Sequence, residues 1–246
     1  MPSLGPIELV VFIVACFGGA LVAGMAGFAF GLIASAVWLH AISPAQSAVL
    51  IAAFAILIQG ATLWKLRKAV QFSRLLPFIV GGAIGIPIGT LILRWSTPSQ
   101  MRVLVGCVLV LFSLFSLLRP KFPAVQGGRL ADGAAGLAGG FLGGSTGLAG
   151  IPVIVSSTLR RWPKDEQRAV FQPVAVAIFL MTLAWFGGTG AITLETVRLF
   201  LVGLPFVLLG TWIGFRLYGR LDEERFRMIV LCLLLLSGLT LLVPWF

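Results

Sequence analysis

Two glycine-rich stretches carry the residue types that could bind a small anion. They are GGALVAGMAGFAFG at 18–31 and GGFLGGSTGLAGIP at 139–152, and each lies between apolar runs. Glycine at this density weakens a helix, and a helix that starts just after a break points free backbone amides and its positive dipole end into the protein. Ser145 and Thr146 add two hydroxyl donors to the second stretch. The pattern predicts an oxyanion held by neutral donors, and such donors would not suit a metal cation.

Gln59 and Gln172 are the clearest polar residues inside the apolar segments. Each lies about six residues, or ~9 Å, from the cytoplasmic end of its segment, so we expect the two side chains at one depth. A polar side chain within the membrane is a candidate for function, and an interhelical hydrogen bond is the alternative. The predicted substrate-binding residues are Gly24, Met25, Ala26, Gly27, Gly144, Ser145, Thr146, Gly147, Gln172 and Gln59.

The rest of the sequence offers no catalytic constellation. It has a single histidine, His40, and its three cysteines are widely spaced within apolar segments. These patterns are not typical of a metal site or of a nucleophile with its base. We therefore predict that the protein is not an enzyme and uses no cofactor and no bound metal.

The elements that must position these residues are membrane helices. The chain has 246 residues, of which 59% are hydrophobic, and its mean hydropathy is +1.07. Apolar runs long enough to cross a bilayer recur along it, which predicts an all-α polytopic membrane protein. The net charge of +10 gathers in short loops and forms no basic face or aromatic platform for nucleic acid. The expected partners are the lipid bilayer and a small anion, with no nucleic acid, and a homodimer is left open.

The two halves of the chain resemble each other. A shift of 120 positions places Gly24 on Gly144 and Gly27 on Gly147. Each half is predicted to be a glycine-rich broken-helix hairpin followed by three transmembrane helices, which gives about 8–10 segments in all. Hairpin legs of roughly 13–16 residues would place both tips near the midplane. The predicted division is a first repeat at 1–118, a cytoplasmic linker at 119–129 and a second repeat at 130–246.

Basic residues predict the orientation of the two repeats. Most Lys and Arg residues fall in four clusters, at 65–74, 119–129, 160–168 and 216–227. Since basic loops stay in the cytoplasm, the first hairpin begins and ends outside and the second begins and ends inside. The repeats then have inverted topology, and both chain termini lie outside. Tryptophans such as Trp38 and Trp95 fall at predicted outer boundaries, as in an aromatic belt.

Two other interpretations stay open at this point. The glycines could serve only to pack helices closely, as in a membrane assembly protein without transport. Alternatively, the protein could be a carrier or channel for another small solute or ion. A duplicated break, hydroxyls in one copy and inverted topology favour a transport site over the packing interpretation.

The glycine-rich motifs resemble the TauE/SafE family of sulfite and organosulfur anion exporters. The motifs are GALVAGMAGFAFG at 19–31 and GFLGGSTGLAGIPVIV at 140–155, and the similarity extends over nearly the whole chain. The chain departs from the family where Ala149-Gly150 replaces a Gly-Gly pair. It also departs at Gln172, where small hydroxylated residues are common.

The resemblance implies a permease of the bacterial inner membrane. It implies a secondary transporter, usually an exporter, of small sulfur-containing anions such as sulfite, thiosulfate or sulfoacetate. The substrate would bind at the paired glycine-rich breaks and would be transported by alternating access.

Overall fold

The computed structural model describes residues 4–27, 29–66, 72–118, 127–217 and 223–243. Within these ranges the regular elements are ten α-helices and no strands. The helices are α1 (Pro6–Ala26), α2 (Phe30–Trp38), α3 (Pro44–Leu66), α4 (Phe72–Trp95), α5 (Pro98–Leu118), α6 (Arg129–Thr146), α7 (Ile151–Leu159), α8 (Lys164–Gly188), α9 (Leu194–Leu217) and α10 (Glu223–Leu242). Five of them, α1, α4, α5, α8 and α9, contain stretches long and apolar enough to cross a membrane. The predicted all-α polytopic membrane fold is confirmed.

Both halves have the same order of elements, a hairpin followed by three long helices. The hairpins, however, are less even than the sequence suggested. Their first legs, α1 and α6, have 21 and 18 residues, whereas their second legs, α2 and α7, have 9 residues each. First legs of this length measure about 27–31 Å and second legs only about 13 Å. The predicted legs of nearly equal length are therefore corrected.

The first leg of the second hairpin packs backbone to backbone against α4. A methyl group on any of three α4 glycines would collide with a carbonyl oxygen of α6, in the pairs Gly81 with Gly133, Gly85 with Leu137 and Gly89 with Phe141. Both members of these pairs advance along the chain together, so the two helices run parallel. Small residues four apart allow this close approach in a medium that provides no hydrophobic drive between helices.

The first hairpin packs against α9 in the same way. Glycines of α9 meet carbonyl oxygens of α1, Gly210 at Phe17 and Gly214 at Leu21, and again the two helices run parallel. Since α1 corresponds to α6 and α9 corresponds to α4, this is the same contact made twice. The pairs α3 with α8 and α5 with α10 join corresponding helices of the two halves. The helix pairing therefore has an approximate two-fold pattern.

Large apolar side chains cover the outside of the long helices, as a lipid-facing surface requires. Trp95 is 75% exposed, but Trp38 is fully buried. The Trp38 ring stacks on Phe12, with ring centroids 4.9 Å apart, and its indole N–H donates to the Phe12 carbonyl oxygen at 3.4 Å. The expectation that Trp38 belongs to an interfacial belt is wrong, because its ring fills the interior between α1 and α2.

Replacing Gly85 by alanine tests the close contact of α4 with α6. The added methyl group collides with backbone, which cannot move aside, so we expect a loss of about 1–3 kcal/mol of stability. Thermal unfolding of the detergent-purified variant measures this loss. Gly18→Ala is the matched control, because a methyl group there meets nothing within 4 Å. Equal unfolding temperatures for the two variants would contradict the close packing.

Candidate functional site

Each hairpin breaks at a glycine in the left-handed conformation. Gly27 has φ +80° and Gly147 has φ +79°, and these two residues are related by the 120-position shift. A side chain is strained in this region of φ, so glycine is the residue that ends a helix there at little cost. In both hairpins the long first leg ends at the residue just before this glycine, and the short second leg follows after three or fewer residues.

The predicted binding segments 24–27 and 144–147 therefore lie mostly inside helices. Gly24, Met25 and Ala26 form the end of α1, and Gly144, Ser145 and Thr146 form the end of α6. Amides at the carboxyl end of a helix bond to carbonyls of the preceding turn, so they are not free to hold an anion. The prediction that these amides follow the break is corrected.

The two hydroxyls also point back into their own helix. Ser145 Oγ donates to the carbonyl oxygen of Phe141 at 2.7 Å, and Thr146 Oγ1 donates to that of Leu142 at 2.7 Å. Thr146 Oγ1 also accepts from the Leu148 amide at 3.3 Å. Both side chains are buried. Both hydroxyl hydrogens therefore take part in hydrogen bonds within α6.

Gly24 and Gly144 serve helix packing. A methyl group on Gly24 would lie 2.8 Å from the carbonyl oxygen of Thr211 in α9, and one on Gly144 would lie 2.7 Å from that of Ile86 in α4. At these two positions the glycine allows two helices to pack closely, as the packing interpretation predicts. Met25 is buried and, like the others, lies outside the pocket described next.

The two breaks meet at one small pocket, whose empty space of about 490 Å³ includes space open to the outside. Its wall is formed by residues of both breaks and of the central helices α3 and α8, and it includes Gly27, Gly147 and Gln59. A methyl group on Gly31 would lie 3.4 Å from the carbonyl oxygen of Gly147, which shows how closely the hairpins approach. Most of the wall is apolar, so the few polar groups in it decide what it can bind.

The start of α7 supplies two backbone donors to this wall. Ala149 and Gly150 are among the residues that line the pocket, and their amides have no hydrogen-bond partner within the described part of the chain. Free amides and the positive end of the helix dipole coincide there, which favours negative charge. This helix start lies after the predicted segment 144–147, because a run of glycines does not show which of them adopts positive φ.

Gln172 adds a carboxamide beside the first break. Its side chain is 1% exposed, and both its Nε2 and its Oε1 lack a hydrogen-bond partner. The Nε2 atom lies 3.4 Å from the position that a Cβ atom on Gly27 would occupy. The oxygen of Gln59, in the pocket wall, is buried and without a partner as well. The two glutamines are thus not hydrogen-bonded to each other, and the carboxamide of Gln172 forms no interhelical hydrogen bond within the described part of the chain.

Arg168 is a further residue of this region that the sequence did not single out. Its Nε atom lies 3.8 Å from the same Cβ position on Gly27. Arg168 and Gln172 are four residues apart on α8 and so share one face of the helix. The sequence signal was this spacing, but Arg168 had been assigned to a cytoplasmic basic cluster.

The far ends of the two hairpins are closed by different interactions. In the first hairpin the Phe12–Trp38 stack joins the two legs. In the second hairpin Asp132 of α6 forms an ion pair with Arg160, at the end of α7, with 2.6 Å between oxygen and nitrogen. Asp132 corresponds to Phe12 under the 120-position shift.

Ten helices with a lipid-facing exterior and an interior pocket between two broken helices define a multi-pass membrane protein of the transporter class. The family model described as sulfite exporter TauE/SafE matches residues 11–241. The chain belongs to this family. The family implies transport of sulfur-containing anions and not catalysis. No curated protein and no solved structure matches the chain.

Gly147→Ala tests the left-handed break. A side chain at this φ costs about 1–2 kcal/mol, and its first carbon would lie 2.8 Å from Ile51. We expect a lower unfolding temperature than for Gly150→Ala, where φ is −77° and the nearest atoms lie 3.9 Å away. A Gly147→Ala protein as stable as Gly150→Ala would show that the break does not depend on this glycine.

Proposed function

We propose that the protein is a secondary transporter that exports a small sulfur-containing anion by alternating access. Sulfite is the leading substrate, and thiosulfate and sulfoacetate are of the same class. The observation that carries the proposal is the pocket in which the two helix breaks meet beside an unpartnered, buried Gln172. Family membership supplies the substrate class.

The polar groups around the pocket favour an anion. Ala149 and Gly150 offer backbone N–H donors, Gln172 offers its side-chain amide, and Arg168 provides a positive charge nearby. An oxyanion can satisfy several donors at once, whereas a cation would meet a positive helix end. In this proposal Gly27 and Gly147 shape the pocket, and Ser145 and Thr146 act indirectly by securing the end of α6.

The two-fold helix pairing supports alternating access. The hairpins pack on equivalent partners, α1 on α9 and α6 on α4, while α3 and α8 meet at the centre. Such an arrangement lets two similar halves exchange conformations around a fixed site. Together with the basic clusters, it supports inverted repeats with both termini outside, and the family resemblance supports the inner membrane as their location. The parallel helix pairs fit this orientation, since each hairpin must enter from the same side as its partner helix.

Gln172→Leu is the sharpest test of the site. Leucine has a similar size but cannot hydrogen-bond, so the fold should persist while anion transport in proteoliposomes falls at least tenfold. Thr182→Val is the control, because Thr182 is another fully buried and unpartnered polar residue of α8 but, unlike Gln172, does not lie within 4 Å of the position that a Cβ atom on Gly27 would occupy. Equal sulfite flux in the two variants would remove Gln172 from the site. Glycine substitutions are less useful here, because they strain the hairpins themselves.

Thermal unfolding against a panel of salts tests binding without transport. Sulfite, thiosulfate, sulfoacetate, sulfate, acetate and chloride are compared at matched ionic strength. A ligand at 100 times its dissociation constant stabilises the folded state by about 2.7 kcal/mol, so we expect a clear rise with a sulfur oxyanion. A flat panel would favour a membrane assembly protein, and stabilisation by metal cations would favour a different carrier.

A further inference from the structure

We propose that a cluster of ion pairs at the far end of the second hairpin is a gate, which closes the pocket on that side and has to open for the anion to pass. The members of this ion-pair cluster are Arg74, Asp132, Arg160, Trp162 and Glu166. The inference goes beyond the proposed function, because it assigns residues to the conformational change, and it rests on transport by alternating access. In the proposed orientation the cluster lies on the cytoplasmic side.

Trp162 joins two ion pairs into one cluster. The guanidinium groups of Arg74 and Arg160 lie over its ring, with their Cζ atoms 4.4 Å and 5.3 Å from the ring centroid. Arg74 pairs with Glu166 at 2.6 Å, and Arg160 pairs with Asp132 at 2.6 Å. Each arginine therefore contacts both an aromatic face and a carboxylate, two interactions that suit a planar guanidinium. Because the two pairs share one ring, a movement of Trp162 affects both.

The cluster connects four helices. Asp132 lies in the first turn of α6, Arg74 in the first turn of α4 and Glu166 in the first turn of α8, while Arg160 directly follows the last residue of α7. The Arg160 contacts join the end of α7 to α6 and, through Trp162, to α4. The Arg74 pair then joins α4 to α8. The short leg is thus held at its end by the starts of three longer helices.

A tight turn brings Trp162 back over the end of α7. The amide of Trp162 donates to the carbonyl oxygen of Ser157 at 3.1 Å, and the amide of Arg161 donates to that of Thr158 at 3.0 Å. This is the Schellman pattern, in which the left-handed residue after the helix is usually glycine. Here that residue is Arg161, with φ +55°. A side chain in this conformation carries strain, and strain of this kind is common in segments that switch between two states.

The short leg α7 connects the cluster to the pocket. It has nine residues, so about 13 Å separate its two ends. Gly150, Ile151 and Ile154, at its start, line the pocket, and Arg160, at its end, belongs to the cluster. Release of one end of so short a helix lets the whole helix tilt, and the tilt moves the pocket wall.

The Asp132–Arg160 pair has the energetics of a contact that can open. The side chains of Arg160 and Asp132 are only 10% and 13% exposed, yet Arg160 Nη2 and Asp132 Oδ1 form no hydrogen bond within the described part of the chain. Lost hydration offsets most of the attraction in such a pair when its hydrogen bonds are incomplete. Separation of the intact pair rehydrates both charges and is therefore affordable. Removal of one partner is different, because it leaves the other charge buried and unpaired in the closed state.

Accessibility of the pocket from each side of the membrane tests the gate. Ala55 lines the pocket from α3 and is 2% exposed, so Ala55→Cys introduces a thiol there with little change in size. A membrane-impermeant maleimide is added to inverted vesicles, which present the cytoplasmic face, and to right-side-out vesicles. The full chain without this substitution gives the background from the three native cysteines.

We expect Arg160→Gln, in the Ala55→Cys protein, to raise the initial labelling rate in inverted vesicles by about tenfold or more. The rate in right-side-out vesicles should not rise. Arg94→Gln is the control, because Arg94 is an exposed arginine at the opposite end of α4. Asp132→Arg combined with Arg160→Asp exchanges the charges of the pair and should return the rate toward that of the parent protein.

Equal labelling rates in the Arg160→Gln and Arg94→Gln proteins would overturn the gate. A raised rate that persists after the charges are exchanged would overturn it as well, because a general loosening of the hairpin would then explain the result. A rise confined to right-side-out vesicles would overturn the assigned side.

Arg74→Gln keeps the test decisive if Arg160→Gln does not fold. Arg74 and Glu166 are 38% and 33% exposed, so loss of this pair has little effect on stability. The labelling rate should still rise in inverted vesicles, though by less than for Arg160→Gln. A rate equal to that of the Arg94→Gln control would again overturn the gate.

The labelling experiment needs no substrate, so its failure is distinguishable from failure of the proposed function. Unchanged labelling together with protein-dependent sulfite flux in proteoliposomes would overturn the gate alone. Absence of protein-dependent flux for every sulfur anion would overturn the transporter.

Discussion

Hydrocarbon offers no partner to a backbone N–H or C=O group, and the rest of this structure depends on that constraint. A helix can break within a membrane only where protein or a polar ligand surrounds the freed groups. Here the breaks at Gly27 and Gly147 lie against each other and against α3 and α8. The glycine contacts of α4 with α6 and of α1 with α9 make this possible, because they let long helices enclose the hairpins.

The same contacts explain why the wall of the pocket is mostly apolar. Most of the enclosing surface is backbone of small residues or aliphatic side chain, which cannot distinguish solutes by hydrogen bonding. In the proposed site, discrimination falls to the amides at the start of α7, the glutamine side chains and the charge of Arg168. Few polar groups in a nonpolar wall have large individual effects, because each unsatisfied one is costly there.

Hydropathy, the spacing of basic residues and the 120-position repeat were enough to predict the helical class and the order of hairpins and long helices. The placement of the breaks was less accurate. Gly24, Gly27, Gly144 and Gly147 are indistinguishable in sequence, and only tertiary neighbours make two of them packing contacts and two of them left-handed turns. Gln172 was recognised because a polar side chain in an apolar run is conspicuous. The role of Trp38 was not, because an aromatic residue near a span end suits both a buried position and an interface.

The different closures of the two hairpins have a consequence for the resting state. The Phe12–Trp38 stack relies on dispersion and burial, whereas the Asp132–Arg160 pair relies on electrostatics between side chains that are partly exposed. In the proposed carrier, two related hairpins secured by different forces would open at unequal cost. The inward- and outward-facing states would then be unequally populated before any substrate arrives. The empty protein would thus have a preferred side, even though its helix pairing is nearly symmetric.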